Sequence, residues 1–234
     1  MPDSRKHRGP GPEDGRDFGP SAVPPLRAAA GDLAWLLSRG YAEASSLKLV
    51  GDRHRLVERQ RTAVLRSSCP DEALARRRER CLGADDLRGR SLRVDGFNLI
   101  LTLESALGGG VVLGGRDGSY RDLAGVHGTY RRVAETQPAL ELAATWLRAR
   151  GVAGCHWLLD APVSNSGRLA ALIRAADPTW TAEVVPDPDR ALARPGDPIA
   201  TADAGILDRC GAWVALSRRI VDDAIPGAFV VDLG

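Results

Sequence analysis

Short strand-like segments alternate with helical segments from residue 91 to the end of the sequence. Strands are predicted at SLRVD, CHWLLD, TAEVVP, PIATAD, AWVAL and AFVVDL, and helical periodicity appears in FNLILTLESAL, QPALELAATWLRARG and SGRLAALIRAAD. A glycine-rich stretch, GGGVVLGGRDGSYRDLAGV, is predicted to form a hairpin that turns at Asp117 and Gly118. This alternation predicts an α/β domain over residues 91–234, with a mainly parallel sheet sandwiched by helices.

The first 90 residues lack this alternation. Residues 1–25 are rich in glycine, proline and charge with almost no apolar spacing, which predicts a disordered tail. Helical spacing follows, with a first helix that ends near Gly40, a second over about Asp52 to Ser67 and a third in DEALARRRERCL. We therefore predict a small basic all-helical domain over residues 26–83, followed by a linker over residues 84–90.

Charge and cysteine content exclude several classes of protein. The longest stretch without a charged residue covers eleven residues, from Ser105 to Gly115, whereas a membrane helix needs about 20. The N-terminal sequence lacks the apolar core of a secretory signal, so we expect a cytoplasmic protein without a membrane partner. The four cysteines include no CxxC pair, which argues against a disulfide scaffold and a zinc knuckle. The basic excess lies in residues 1–90, which carry 18 basic and 13 acidic side chains.

Three predicted strands are each followed by an aspartate. RVDGFN, WLLDAP and ATADAG place Asp95, Asp160 and Asp203 where a strand gives way to a turn or helix. The carboxyl ends of parallel strands meet at one edge of a sheet, where α/β proteins build their sites. Carboxylates placed close together raise one another's pKa values unless a divalent cation neutralises them. Because hard cations prefer oxygen ligands, the sequence predicts a site for Mg²⁺ or Mn²⁺.

Other polar residues lie close enough in the sequence to take part in this site. Asp208 and Glu104 lie on the helices that follow the aspartates and are candidate further metal ligands. Asn98 is a candidate for orienting Asp95 or holding a water molecule, and Ser164 lies in a loop suited to binding phosphate. Each role has an ordinary alternative, because strand-ending aspartates cap helices and exposed helical glutamates are common.

The aspartate segments resemble a known group of nucleases. VDGFNLI is similar to the start of the NYN branch of the PIN-like nucleases, where a strand-ending aspartate opens the active site in a DGYN-type sequence. TADAGILD resembles a later PIN motif, in which a serine or threonine, here Thr201, precedes an aspartate by two positions. The resemblance implies a PIN-like fold and a metal-dependent nuclease, with an endoribonuclease favoured. It also implies that Asp95, Asp160 and Asp203 bind metal and activate water. Asp208 and Glu104 would be supporting ligands.

A second resemblance extends from about Pro25 over nearly the whole remaining chain. LKLVGDRHRLVERQRTAVLR, from Leu47 to Arg66, is similar to an LxVGDRxxLxxRQRxAxxR run in prokaryotic proteins of the domain of unknown function 434 family. That family has no established activity, so this resemblance implies no function.

Basic residues form two candidate surfaces for nucleic acid, with RNA favoured as the partner. One lies on the predicted helices, and the other lies in and after the predicted hairpin, where Tyr130 would stack on an unpaired base. Charged helical faces are often simply solvated, which is the alternative. The sequence is also compatible with a homo-oligomer. The candidate contacts are Arg53, Arg55, Arg59 and Arg66 on the first surface, and Arg131 and Arg132 on the second.

The main alternative is a non-catalytic RNA-binding or regulatory module that retains the PIN-like fold. In that case the aspartates cap helices, and the basic helices supply the affinity. The sequence lacks the motifs of other classes of phosphotransfer enzyme. VDGFN has no second aspartate of a haloacid-dehalogenase DxDx[TV] motif, and no GxxxxGK[ST] loop is present.

Overall fold

The computed structural model describes residues 7–123 and 129–234, and residues 1–6 of the predicted tail and 124–128 of the predicted hairpin segment lie outside the described residues. The strands are β1 (Ser91–Asp95), β2 (Val112–Gly114), β3 (Tyr120–Asp122), β4 (Gly154–Asp160), β5 (Trp180–Val185), β6 (Ile199–Ala200), β7 (Trp213–Val214) and β8 (Val230–Asp232). The helices are α1 (Asp14–Asp17), α2 (Val23–Leu37), α3 (Glu43–Arg53), α4 (Glu58–Ser67), α5 (Asp71–Arg80), α6 (Gly96–Leu107), α7 (Thr136–Ala149), α8 (Ser166–Ala176), α9 (Pro188–Leu192), α10 (Ala204–Arg209) and α11 (Leu216–Ala224). None of these helices is long and apolar enough to span a bilayer.

β1 lies at the centre of a five-stranded parallel sheet with the strand order β5-β4-β1-β6-β7. In its register, Val94 pairs with Trp157 of β4 on one side and with Ala200 of β6 on the other. The prediction of an α/β fold with a mainly parallel sheet, preceded by an all-helical region, is confirmed.

Two apolar cores cover the two faces of this sheet. On one face, Val94 and Trp157 pack with apolar side chains of α6, α7 and α8. On the other face, Ile199 and Trp213 pack with side chains of α9 and α10. Where both faces of a strand are buried, successive residues are apolar, as Trp157, Leu158 and Leu159 of β4 are.

A second, three-stranded sheet contains the predicted hairpin. β2 and β3 pair antiparallel, and the turn between them contains Gly118 at φ +83°, a conformation that favours glycine. β8 pairs parallel to β2 in this sheet instead of joining the large one. Leu113 of β2 and Val231 of β8 pack in one core with Leu26 and Leu33 of α2.

The helical region packs closely against the α/β region. The helices within residues 26–83 share a core with the second sheet, in which Leu113 and Val231 pack against α2. Residues 84–90 are not a linker, because Leu87 is fully buried and packs in the same core as Leu92. Sequence composition missed the core shared with the second sheet, since Leu113 and Val231 lie far from α2 along the chain.

The prediction of a disordered tail is wrong for residues 7–25. This segment contains α1, and Phe18 is buried in the core beside α2. Asp14, with no exposed surface, accepts hydrogen bonds from Arg59 Nε over 2.5 Å and Nη2 over 2.9 Å. This buried ion pair helps to hold the segment, and a count of apolar residues does not detect it.

The predicted helix from Asp52 to Ser67 is two helices. α3 ends at Arg53, and Arg55 adopts a left-handed conformation with φ +53° in the turn that follows. α4 then starts where the side chain of Gln60 accepts a hydrogen bond from the backbone N–H of Val57. The break places Arg55 outside the helix that carries Arg59 and Arg66, so the three arginines do not form one helical stripe.

Candidate active site

The strand order places two of the predicted aspartates beside one crevice. From β1 the sheet extends through β4 and β5 on one side, and β6 and β7 are then added on the other side. Ligands of open α/β sheets bind at such a switch point, outside the carboxyl ends of the strands. Asp95 is the last residue of β1, and Asp203 follows the end of β6 directly before α10. Both carboxylates therefore lie where this topology builds a site.

Hydrogen bonds connect the loop after β6 to the end of β1. Thr201 Oγ1 donates to Asp95 Oδ2 over 2.8 Å and accepts from the backbone N–H of Asp203 over 3.0 Å. Asn98 Oδ1 accepts from the backbone N–H of Ala202 over 2.9 Å. Thr201 and Asn98, which the sequence predicts as supporting residues, thus link the two strand ends that carry the aspartates.

Both aspartates also cap helices, as the alternative interpretation requires. Asp95 Oδ1 accepts from the backbone N–H of Asn98 over 3.3 Å, and Asp203 Oδ1 accepts from that of Ile206 over 2.9 Å. Capping occupies one oxygen of each carboxylate. Within the described residues, Oδ2 of Asp203 makes no hydrogen bond, so capping leaves this oxygen available to a ligand.

The three predicted aspartates line one cleft of about 560 Å³. Asp160 ends β4, the neighbour of β1, and lines the cleft together with Asp95 and Asp203. Asp189 of α9 lines it as well. Asp203 and Asp189 are exposed, whereas Asp95 and Asp160 are partly buried. The cleft thus gathers these four carboxylates at the carboxyl edge of the parallel sheet, and Asp122 and Glu43 line it as well. We call it the acidic cleft.

Burial and the repulsion of neighbouring carboxylates raise the pKa values of Asp95, Asp160 and Asp189. Burial raises the pKa of Asp95 to about 7, and the charges of Asp203 and Asp189 add to the increase. Burial also raises the pKa of Asp160, with contributions from Asp189 and Asp187. The pKa of Asp189 is raised by burial and by the charge of Asp203. A bound cation would relieve this repulsion.

Asp189 is an acidic residue at this edge of the sheet that was not predicted from the sequence. It follows β5 in the segment VVPDPDR, so an acidic residue after a strand again marks the site. Two prolines flank Asp187 and obscure the step from strand to helix. The signal that identifies Asp95 and Asp160 is an acidic residue at the end of a predicted strand. Asp189 lies four residues after the end of β5, so a slightly wider form of the same signal includes it.

The described residues contain no group of three or more acidic, histidine or cysteine side chains close enough to hold a metal ion. The carboxylates therefore line the cleft without forming a closed protein cage. This donor set fits a cation that keeps much of its water, because Mg²⁺ is usually bound by one or two carboxylates plus water and substrate phosphate.

Two predicted metal ligands lie elsewhere. Glu104 is fully buried, and its carboxylate contacts Arg8 Nη2 at 3.0 Å and the hydroxyl groups of Tyr130 and Thr136 at 2.5 and 2.6 Å. Asp208 pairs with Arg77 Nη2 at 2.8 Å. Neither residue lines the acidic cleft, because each carboxylate is drawn to an arginine of the N-terminal half of the chain.

The first predicted arginine surface is divided among several contacts. Arg53 lies 3.5 Å from Asp32, Arg59 is paired with the buried Asp14, and Arg55 is exposed in its turn. Of these arginines, Arg66 alone lines the acidic cleft, where its Nη1 donates to the backbone carbonyl of Asp122 over 2.7 Å.

The second surface and its neighbours lie beside the loop after β4. Arg131 and Arg132 are exposed, but Tyr130 is buried and donates its hydroxyl hydrogen to Glu104, so the predicted stacking on a base is wrong. Ser164 does not line the acidic cleft, and its backbone carbonyl accepts from the N–H of Tyr130 over 3.1 Å.

The helical region forms one wall of the acidic cleft. Glu43 of α3, Leu65 and Arg66 of α4, and Ser68 line it opposite residues of the α/β region. Arg66 carries the positive charge of this wall; 36% of its side chain is accessible, and its Nη1 lies 4.0 Å from Asp122 Oδ1. The site is therefore built from both regions of the chain, which sequence analysis treated as separate domains.

A buried ion cluster fixes the loop that carries Asp203. Asp117 accepts from Arg77 Nη1 over 2.7 Å and from Arg121 Nη2 over 2.6 Å. Arg121 Nε also donates to the carbonyl of Ala202 over 2.6 Å, and Arg77 Nη2 donates to that of Ala204 over 3.2 Å. The two arginines thereby hold the backbone on both sides of Asp203. Their positive charges keep the pKa of Asp117 well below its usual range, against the opposing effect of burial.

Comparisons with known proteins give two families and one relative. Residues 84–219 match the family described as "Domain of unknown function (DUF5616)", and residues 25–80 match "Protein of unknown function (DUF434)". The predicted resemblance to family 434 is thus confirmed over the helical region, while the α/β region matches a different family. An uncharacterized protein of Methanocaldococcus jannaschii is 28% identical over 149 residues, which cover 64% of this chain and 71% of that protein. No solved structure matches the chain.

Proposed function

We infer the function of this chain, which belongs to the DUF5616 family, from its acidic cleft, because the family description records no activity. We propose that it is a divalent-metal-dependent phosphodiesterase that cleaves RNA internally. The observation that carries the proposal is the convergence of Asp95, Asp160 and Asp203 on one cleft at the switch point of the parallel sheet. The resemblance of VDGFNLI and TADAGILD to the NYN branch of PIN-like nucleases supports the same reaction.

Four properties of the cleft favour a cationic cofactor and an anionic substrate. The charge of Asp203 raises the pKa values of Asp95 and Asp189, one oxygen of Asp203 is free among the described residues, and Thr201 orients Asp95. Arg66 adds a positive charge on the opposite wall, where a phosphate would be attracted. Asp95 and Asp203 are the residues we assign to hold Mg²⁺ or Mn²⁺, with Asp160 and Asp189 at its periphery. When bound, the cation supplies charge neutralisation and a lower pKa for water.

Side chains of the cleft accept the proton, position the aspartates and bind the phosphate. Asp160, at the end of the adjacent strand, accepts the proton that the attacking water releases. Thr201 and Asn98 keep Asp95 and the Asp203 loop in place, and Arg66 binds a non-bridging phosphate oxygen. Hydrolysis adds the water oxygen to phosphorus and breaks one phosphorus–oxygen bond of the chain. The products are a phosphomonoester end and a hydroxyl end, and no covalent enzyme intermediate is needed.

The first test is the metal dependence of RNA cleavage. Single-stranded RNA, structured RNA and single-stranded DNA, each with a 5′ label, are incubated with the full chain in Mn²⁺, Mg²⁺ or EDTA. We expect internal cuts in RNA with Mn²⁺ or Mg²⁺ and intact RNA in EDTA, because the carboxylates alone do not lower the pKa of water.

Cleavage that persists in EDTA would contradict the assignment of a metal site. Intact substrates in every condition, together with RNA binding by the same preparation, would instead favour the non-catalytic RNA-binding module. Equal cuts in DNA and RNA would retain the phosphodiesterase and remove the preference for RNA.

A further inference from the structure

A second groove lies on the other side of the loop that follows β4. Its volume is about 570 Å³. Three exposed arginines, Arg131, Arg132 and Arg168, line it above apolar side chains that include Leu169 and Leu172. We call this surface the arginine groove. It combines concentrated positive charge with an apolar floor.

The three arginines have no protein partner among the described residues. Their side chains make no hydrogen bond and no ion pair there, whereas Arg77 and Arg121 are each paired with Asp117. The described lining of the groove contains no acidic residue. Unpaired guanidinium groups held close together repel one another, so an anion in the groove would be attracted to all three.

One short loop connects the arginine groove to the acidic cleft. Asp160 and Val163 line the cleft, and Asn165, five residues after Asp160, lines the groove. Five residues span at most about 18 Å when fully extended. The loop is held against the arginine segment, because Asn165 Nδ2 donates to the carbonyl of Tyr130 over 2.9 Å and the N–H of Tyr130 donates to the carbonyl of Ser164 over 3.1 Å.

We propose that the arginine groove binds backbone phosphates of the RNA strand whose scissile phosphate occupies the acidic cleft. This inference rests on the proposed function, and it adds that the substrate is a strand several nucleotides long. Arg168 of α8 is a contact that the sequence analysis did not identify. The ring of Tyr130 is buried, so the groove contributes charge and an apolar floor without base stacking on this tyrosine.

The test is binding of a fluorescein-labelled twelve-nucleotide RNA, measured by anisotropy in EDTA, so that cleavage does not contribute. The variants are Arg131→Gln, Arg132→Gln, Arg168→Gln and the triple variant. We expect each lost phosphate contact to lower the affinity for single-stranded RNA about five-fold at 0.1 M salt. The triple variant should bind about 100-fold more weakly, and the slope of log affinity against log salt concentration should be smaller by about 2. Arg78→Gln, an exposed arginine of α5, is the matched control and keeps wild-type affinity.

The outcomes separate the groove from the proposed function. If the triple variant binds RNA with the wild-type affinity and salt slope, the arginine groove is not a phosphate site, whatever the protein cleaves. If binding falls as expected but no condition gives cleavage, the groove stands and the proposed nuclease fails. If the wild type cleaves, the triple variant should cleave a dinucleotide at the wild-type rate and the longer RNA more slowly under subsaturating conditions. Equal thermal unfolding of all variants excludes misfolding as the cause.

Discussion

Asp117→Asn is expected to lower the free energy of unfolding by about 3–5 kcal/mol, the cost of breaking a buried charge pair by removing one partner. Asp117 and Arg77 each have 2% of their side chains exposed, and Arg121 has 9%. Asparagine removes the negative charge between two buried guanidinium groups and leaves them to repel each other. The change is measured by urea denaturation at pH 7. In thermal unfolding it should appear as a fall of roughly 10 °C in the midpoint temperature.

The matched control is Asp71→Asn. Asp71 also pairs with an arginine, at 2.6 Å from Arg116 Nη2, but its side chain is 69% exposed. Exposed pairs contribute about 0–1 kcal/mol, so this variant should unfold almost as the wild type does. Equal, small effects of both substitutions would show that the cluster around Asp117 does not hold the structure together.

The effect of Asp117 also has a defined pH dependence. Its folded-state pKa is depressed, so its stabilising contribution is present above its unfolded pKa and is lost as the pH falls toward the folded value. The difference in stability between wild type and Asp117→Asn should therefore persist from pH 8 to pH 5. Loss of that difference above pH 5 would mean that the two arginines do not depress the pKa of Asp117.

Asp95→Asn is expected to slow cleavage strongly without destabilising the metal-free protein at pH 8. We expect a loss of activity on the order of 10²–10³, comparable to the removal of one preorganised electrostatic group. Asparagine caps a helix about as well as aspartate does, so α6 keeps its N-terminal cap. Asparagine also carries no charge in the acidic cleft, which relieves the repulsion from Asp203 and Asp189.

The pH dependence of stability tests whether the pKa of Asp95 is raised in the folded protein. The folded-state pKa of Asp95 is raised to about 7, so the folded protein binds more protons than the unfolded chain between the ordinary value of 3.8 and 7. The stability of the metal-free wild type should therefore decrease as the pH rises through this window, and that of Asp95→Asn should decrease less. Thermal unfolding in EDTA at pH 5 and pH 8 measures both slopes.

Stabilisation by added Mn²⁺ tests whether Asp95 takes part in binding the metal. Mn²⁺ should raise the unfolding temperature of the wild type, because a ligand that binds only the folded state stabilises it. The increase should be smaller for Asp95→Asn. A variant that unfolds earlier than the wild type at both pH values, yet cleaves RNA equally well, would show that Asp95 serves only as a helix cap.

The local elements of this fold follow from short-range patterns. Gly40 and Gly151 end helices in the left-handed conformation that glycine favours, and the segment VDGFN forms the strand end and capped helix that its residues predict. The gathering of Asp95, Asp160 and Asp203 follows from the parallel direction of the strands. These features depend on neighbours along the chain or on one rule of sheet topology.

The missed features depend on distant partners. β8 pairs with β2 in the second sheet, Arg59 binds Asp14 in a segment predicted to be disordered, and the carboxylate of Glu104 contacts Arg8. No short pattern contains both members of such a pair. Asp95, Asp160 and Asp203 of the acidic cleft are therefore predictable from the sequence, whereas Asp189, the wall from the helical region and the ion cluster around Asp117 required the structure.

The most direct test of the account is the initial rate of RNA cleavage as a function of Mn²⁺ concentration for wild type, Asp203→Asn and Asp85→Asn. Asp85 is an exposed aspartate in the turn before β1 and is the matched control. We expect the wild type and Asp85→Asn to give the same curve, and Asp203→Asn to lose at least about 100-fold in rate. If all three proteins cleave with the same dependence on Mn²⁺, the acidic cleft is not the catalytic site.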